Sequence, residues 1–229
     1  PVNEGRGIYY TSSFDEGETW SDARQVFDAQ AAGWTVVDYP RAAVDLAGLL
    51  HVVWVRAALP DSGQPQGIYY ARSADGGETW TEPVGMVGAG YGWPQIVAAA
   101  PGQVHLAWGG QNRSEPAWHC WSSDGGATWS RPEWAPGLRE LLAPAGLVAD
   151  GAGAVNLLGL QEDGTGKAVL VYIRWRDGRW DEQESYPMEL AGHERGIVAA
   201  IAGEQGRLDV AFRAPDKSAE DTPPMVVWH

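Results

Sequence analysis

Two short stretches combine residue types that bind sugars. Tyr39-Pro40-Arg41 and Trp93-Pro94-Gln95 each set a flat aromatic ring beside a guanidinium or amide donor. Arg56, Arg113, Arg195 and Arg213 add cationic donors from other polar connections. Rings that stack on a pyranose and donors that reach its hydroxyls are what a sugar site uses; a wet polar rim has the same composition. Metal chemistry is poorly served. His119, His193 and His229 do not stand at metal spacing from cysteines or carboxylates. His51 and His105 occupy one place in a repeated strand, which marks them as structural. Asp15, Asp75 and Asp124 sit in turns with too few alternate acidic ligands for a calcium cage. There is neither a phosphate-binding loop nor a Gly-x-Ser-x-Gly elbow. No metal and no cofactor are expected. Cys120 is alone, makes no internal disulfide, and reads as a small buried strand residue.

The elements that must carry these residues repeat. Ser13-Phe14-Asp15-Glu16-Gly17-Glu18-Thr19-Trp20 returns as Ser73 to Trp80 and as Ser122 to Trp129. All three read Ser-x-Asp-x-Gly-x-Thr-Trp, with Asp75 lying 60 residues after Asp15 and Asp124 49 residues after Asp75. Each follows an aromatic-rich run: Ile8-Tyr9-Tyr10, Ile68-Tyr69-Tyr70 or Ala117-Trp118-His119. The physics is that of a hairpin turn. Asp accepts hydrogen bonds from its own backbone, and Gly17, Gly77 and Gly126 permit a positive φ. Thr-Trp restarts a strand, and Trp20, Trp80 and Trp129 are expected to bury their large apolar area.

Two further repeats interleave with these turns. Gly48-Leu49-Leu50-His51 and Gly102-Gln103-Val104-His105 open hydrophobic strands, with looser copies at Gly153 and Gly206. A run of small and β-branched residues precedes each, as in Pro40 to Asp45 and Pro94 to Ala99. Such residues suit the innermost strand of a propeller blade, where strands crowd the axis. A unit recurring every 40–60 residues or so predicts blades. The expected fold is all-β: one β-propeller domain over 1–229, built of four-stranded antiparallel blades with turns of the Asp type, about four to five in this chain. Its blades fall at 7–28 (partial), 39–87, 93–135, 144–186 and 196–229 (partial). The last takes Met225-Val226-Val227-Trp228 as its third strand.

The eight-residue turn resembles the Asp-box, or BNR repeat, of sialidase-like β-propellers. That resemblance implies six blades of four strands. This chain would then be a segment of a longer propeller, a ring closing with fewer blades, or one completed by another chain. It also implies that the boxes lie on the face opposite the ligand, and an extracellular or cell-surface setting. A sialidase uses three arginines to clamp the sugar carboxylate and a tyrosine nucleophile paired with a glutamate. Glu184 and Tyr186 are what the late part of the chain offers for that pair, and they carry no motif. Arg41, Arg195 and Arg213 match a clamp by blade position alone. The family's Arg-Ile-Pro motif is absent, and Tyr39-Pro40-Arg41 does not replace it.

Composition narrows the function classes. The 229 residues carry a net charge of −14, which disfavours nucleic acid and anionic membranes as partners. No apolar run is long enough for a membrane-spanning helix. Thirteen Trp and 30 Gly fit repeated sheet packing and many turns. Strong fold motifs beside missing catalytic ones point away from an enzyme. The leading expectation is a non-catalytic module that binds a glycan or a protein. The alternatives are a sialidase-like glycoside hydrolase and an architectural or sensor domain of a larger protein.

Overall fold

The computed structural model describes residues 5–57, 65–110, 115–138, 146–150, 153–191, 198–203 and 207–212. They are all β, turn and loop, with every strand pairing antiparallel. The chain divides into two compact units, 1–94 and 95–229.

In the first unit, β1 (Gly7–Tyr10) and β2 (Arg24–Asp28) make a two-stranded sheet. A four-stranded sheet follows in chain order: β3 (Val36–Val44), β4 (Leu50–Ala57), β5 (Pro65–Ser73) and β6 (Val84–Val87). β4 reads Leu-His-Val-Val-Trp-Val-Arg-Ala and is buried on both faces, as its β-branched content dictates. Trp54 is the centre of this core. Its indole stacks 5.4 Å from Phe27, and Val52, Ala71, Ile8 and Val26 close around it. β3 departs from the crowded innermost strand the sequence predicts. It has one hydrogen-bonded neighbour, and Val44 is 60% exposed.

In the second unit, β7 (Gly92–Ala100), β8 (Gln103–Gly109), β9 (Trp118–Ser122) and β10 (Glu133–Trp134) form a sheet, with β7 beginning at the unit boundary. The next sheet has five strands. β11 (Gly146–Ala149), β12 (Val155–Glu162) and β13 (Lys167–Arg176) run in order. Both β14 (Arg179–Trp180) and β15 (Glu184–Ala191) then pair with β13. β16 (Val198–Ala202) and β17 (Leu208–Phe212) form a two-stranded sheet. The predicted strand at 225–228 lies outside the described residues.

The boxes are built alike. Ser Oγ donates to Asp Oδ1 at 2.7 Å in all three. The Gly amide donates to Ser Oγ at 2.8–2.9 Å. Thr donates twice to the Asp, through its amide and its hydroxyl. Thr19 and Ser13 hold the Asp15 carboxyl down at about 2, and the same bonds depress Asp75 and Asp124 further. Two successive residues, not one, are left-handed: Glu16-Gly17, Gly76-Gly77 and Gly125-Gly126. The looser fourth turn uses Asp177-Gly178, as a two-residue hairpin demands. Gly77 has a second reason to be glycine, because a Cβ there would meet the Tyr10 ring at 2.7 Å.

Two details of the boxes correct the sequence reading. The fourth strand starts at Arg24, Val84, Glu133 or Glu184, four residues beyond the Trp rather than at it. The box Trp is also not a core residue. Trp80 is half-buried, edge-on to Tyr10 at 5.7 Å, and Trp20 is 63% exposed. Trp80 covers Tyr10 of β1, and among the described residues no strand precedes β1.

A polar side-chain bond crosses from second to third strand in three sheets, buried in the first two and part-buried in the last. His51 Nδ1 meets Tyr70 Oη at 2.8 Å, and His105 Nδ1 meets His119 Nε2 at 2.8 Å. Arg174 Nε donates to Asn156 Oδ1 at 3.1 Å. His51 and His105 are thus structural, as their repetition suggests. Cys120, opposite Leu106 in β9, is buried, its thiol pushed up to about 12.

Replacing Asp75 by Ala removes the acceptor of its turn, so the melting temperature should fall. Glu16→Gly should raise it, since a left-handed non-glycine residue costs about 1–2 kcal/mol, part of which glycine's extra chain entropy takes back. Thermal unfolding of both variants checks this pair of signs.

Burial pushes His105 and His119 down to about 3 from an ordinary 6.5, and the charge of one opposes that of the other. The unfolded chain therefore binds more protons than the folded one between these values. Stability should be full above pH 6.5 and drain as pH falls towards 3. His119→Tyr copies the His51–Tyr70 pair and should flatten the slope. Urea midpoints across this window test it; a flat wild-type profile would contradict it.

Candidate functional site

The two aromatic–proline stretches adopt one unusual backbone. Tyr39 has φ 51° and Trp93 φ 53°, both left-handed. Bulky residues rarely go there, and the residue before proline prefers extended backbone. Each position stores about 1–3 kcal/mol of strain. At Tyr39 the cause is visible. The pairing of β3 with β4 jumps from Asp38↔Val55 to Arg41↔Val53, so Tyr39 and Pro40 form a bulge. Asp38 Oδ1 accepts the Tyr39 amide at 2.7 Å and holds the bulge open. A bulge turns a side chain out of the alternation of its strand. Tyr39 is 42% and Trp93 43% exposed, with ring centroids 6.4 Å apart at 60°. Both residues belong to the first unit.

The arginines beside them are engaged with their own structure. Arg41 Nη1 donates to the Pro40 carbonyl at 2.9 Å. The Arg56 guanidinium lies over the Trp34 ring, 4.7 Å from its centroid, and its Nε is buried. Trp34 is wedged between Phe27 and Tyr69, each 4.5 Å away. Gln95 is half-buried in β7. Arg113, Arg195 and Arg213 lie outside the described residues.

Glu184 and Tyr186 do meet. Tyr186 Oη donates to Glu184 Oε2 at 2.7 Å, and Tyr172 Oη donates to Oε1 at 2.8 Å. The sequence reading missed Tyr172. Its register opposite Glu184, and Leu170 opposite Tyr186, put the two phenols on one face, 6.1 Å apart and nearly parallel. The signal was parity: residues two apart on paired strands share a face. The two phenols hold the Glu184 carboxyl below its usual range. Glu184 in turn pushes Tyr186 up, and burial with Glu184 pushes Tyr172 up to about 12. Glu184 is thus held as a carboxylate between two phenol donors. Glu184 and Tyr186 sit exposed on β15, the outermost long strand of its sheet, and Tyr172 stands half-buried on β13. Arg174 is the cation acting on Glu184, and its Nε is given to Asn156.

Among the described residues no three His, Cys, Asp or Glu side chains gather to hold a metal ion. No helix there is long and apolar enough to cross a membrane.

Solved structures share this architecture. The Hadza microbial sialidase Hz136 matches 91% of this chain with a TM-score of 0.56 at 20% identity. The NanB sialidase of Streptococcus pneumoniae matches 92% at 0.62 and 15% identity. The fold is a sialidase-like β-propeller. The chain spans 47% and 33% of the lengths of those two sialidases. An α-L-arabinanase of Penicillium chrysogenum, solved with arabinobiose, matches 96% at 0.58 and 15% identity, over 73% of its own length. No family model matches the sequence, and no curated protein matches it.

Asparagine tolerates the left-handed region and lacks the ring. Tyr39→Asn should therefore leave stability unchanged or raise it by up to about 1 kcal/mol, while Trp54→Ala in the core beneath should cost about 3–5 kcal/mol. Chemical denaturation separates the two. A large loss in Tyr39→Asn would mean the ring is structural.

Proposed function

We propose that this chain is a carbohydrate-binding propeller that recognises its ligand through Tyr39 and Trp93. The observation that carries the reading is their shared geometry: two aromatic rings at equivalent repeat positions, held half-exposed by a backbone that costs free energy. Core packing does not require either ring outside, and strain persists where the surrounding structure enforces it, most often at binding sites. Aromatic faces bind the C–H faces of sugars through the hydrophobic area they remove from water. The neighbouring folds support the class: sialidases, an arabinanase holding arabinobiose and an ulvan lyase bound to its polysaccharide.

One observation favours a second reading, glycoside hydrolysis. The Tyr186–Glu184 bond has the reach that a tyrosine nucleophile and its base need. Against it, the pair stands on an outermost strand, and the described arginines beside it do not converge on an anionic sugar.

A broad glycan array, probed with wild type, Trp93→Ala and Tyr186→Phe, tests both. Selective binding that Trp93→Ala abolishes is expected, with no sugar released. Release of sugar that Tyr186→Phe stops would make the hydrolase reading correct. Absence of binding to every glycan would sink the carbohydrate reading and leave a protein partner or an architectural role.

A further inference from the structure

We infer that the Tyr39–Trp93 site takes an uncharged sugar, presented by the apolar face of a pyranose ring, and not the carboxylate-bearing sugar that a sialidase fold brings to mind. The inference rests on the carbohydrate reading above and concerns which sugars that site admits.

The reason lies in where the charges are. An anionic sugar is held by guanidinium groups that donate two parallel bonds to its carboxylate. In the first unit, each of the two arginines predicted for this face also contacts its own structure. Arg41 turns back onto the carbonyl of its own Pro40. Arg56 is stacked on Trp34 with its Nε buried. Two charges stand at the bulge, the Arg41 guanidinium on the Pro40 carbonyl and the Asp38 carboxylate beside Tyr39. Asp38 precedes Tyr39 directly and is exposed, and its Oδ1 is anchored to the Tyr39 amide. Removing that carboxylate from its place would release the bulge that presents the ring. A sugar carboxylate approaching Tyr39 therefore meets a fixed like charge, within a chain of net charge −14. A neutral pyranose meets no such opposition. Its hydroxyls find an acceptor in Asp38, and its C–H face finds the two half-exposed rings.

The two rings stand at 60° to each other, not coplanar. Set edge-on, they present their faces in different directions. A flat platform for a long crystalline surface is not what they offer.

The test is titration of the full chain with cellotetraose, β-1,4-galactotetraose and 3′-sialyllactose, at low and high salt. Tryptophan fluorescence and calorimetry provide the readouts. A neutral tetrasaccharide should bind with an affinity that salt leaves unchanged. Tyr39→Ala and Trp93→Ala should each weaken it roughly tenfold, the order expected for losing one aromatic stacking partner. Asp38→Asn keeps the acceptor for the Tyr39 amide and removes the charge. It should shift the preference towards the anionic sugar, raising sialyllactose affinity relative to that for the neutral tetrasaccharide. Salt-sensitive preference of wild type for sialyllactose, lost in Tyr39→Ala, would overturn the choice of ligand class while leaving a sugar site in place. Neutral binding that neither Tyr39→Ala nor Trp93→Ala disturbs would overturn the location. Failure of all three sugars to bind would remove the carbohydrate reading itself.

Discussion

A single carboxylate closes each outer hairpin, and the register of the sheets follows from it. Asp15, Asp75 and Asp124 each gather a serine hydroxyl, a threonine hydroxyl and the threonine amide around two oxygens. Such bonds to an ionised acceptor are about twice as strong as neutral ones. They also reverse the chain in a fixed number of residues. The backbone bonds Ser21 N to Ser12 O, Thr81 N to Arg72 O and Ser130 N to Trp121 O then seal each turn, at 2.8–2.9 Å. The fourth turn lacks the serine and threonine and still keeps that seal, from Asp181 N to Arg174 O at 2.7 Å. A one-residue slip would turn each strand inside out, so this count decides which side chains reach the core.

Inside the sheets a second constraint operates. The bonds His51–Tyr70, His105–His119 and Asn156–Arg174 join second and third strands within apolar surroundings. A buried polar group without a partner costs more than its bond contributes, so each pair tolerates one alignment of its strands. Burial disfavours the charged form of His51, His105 and His119 alike, which ties these bonds to pH in both units.

The strain at Tyr39 and Trp93 stands out from the regular backbone of the strands around them. Elsewhere among the described residues the left-handed positions fall to glycine, or to Glu16 and Asp177 in hairpin turns. Two large aromatics in the same conformation, both before proline and both half-exposed, break the economy of the rest of the chain. Local rules broken without structural gain are what a functional site looks like. The Tyr172–Glu184–Tyr186 cluster is different in kind. Its residues are unstrained and mutually satisfied, with two phenols sharing one carboxylate on an outer strand.

The sequence by itself determined the repeat, the box turns and the identity of the strands, because each depends on residues within a few positions of one another. Ser-x-Asp-x-Gly-x-Thr-Trp specifies a turn wherever it occurs, and Gly-x-x-His announces a buried strand. The recurrence of an aromatic before Pro40 and Pro94 was equally visible, since it needs only counting. Tertiary structure alone decided what those residues meet. It set Tyr39 and Trp93 in a left-handed backbone, turned Arg41 onto its own chain, laid Arg56 on Trp34 and brought Tyr172 to Glu184. It also left Trp20 exposed where Trp80 is covered by Tyr10, from one and the same motif. The reason is physical. A hydrogen-bonded turn is a local balance of backbone and side chain, whereas exposure, stacking and charge pairing depend on which distant surface the fold brings alongside.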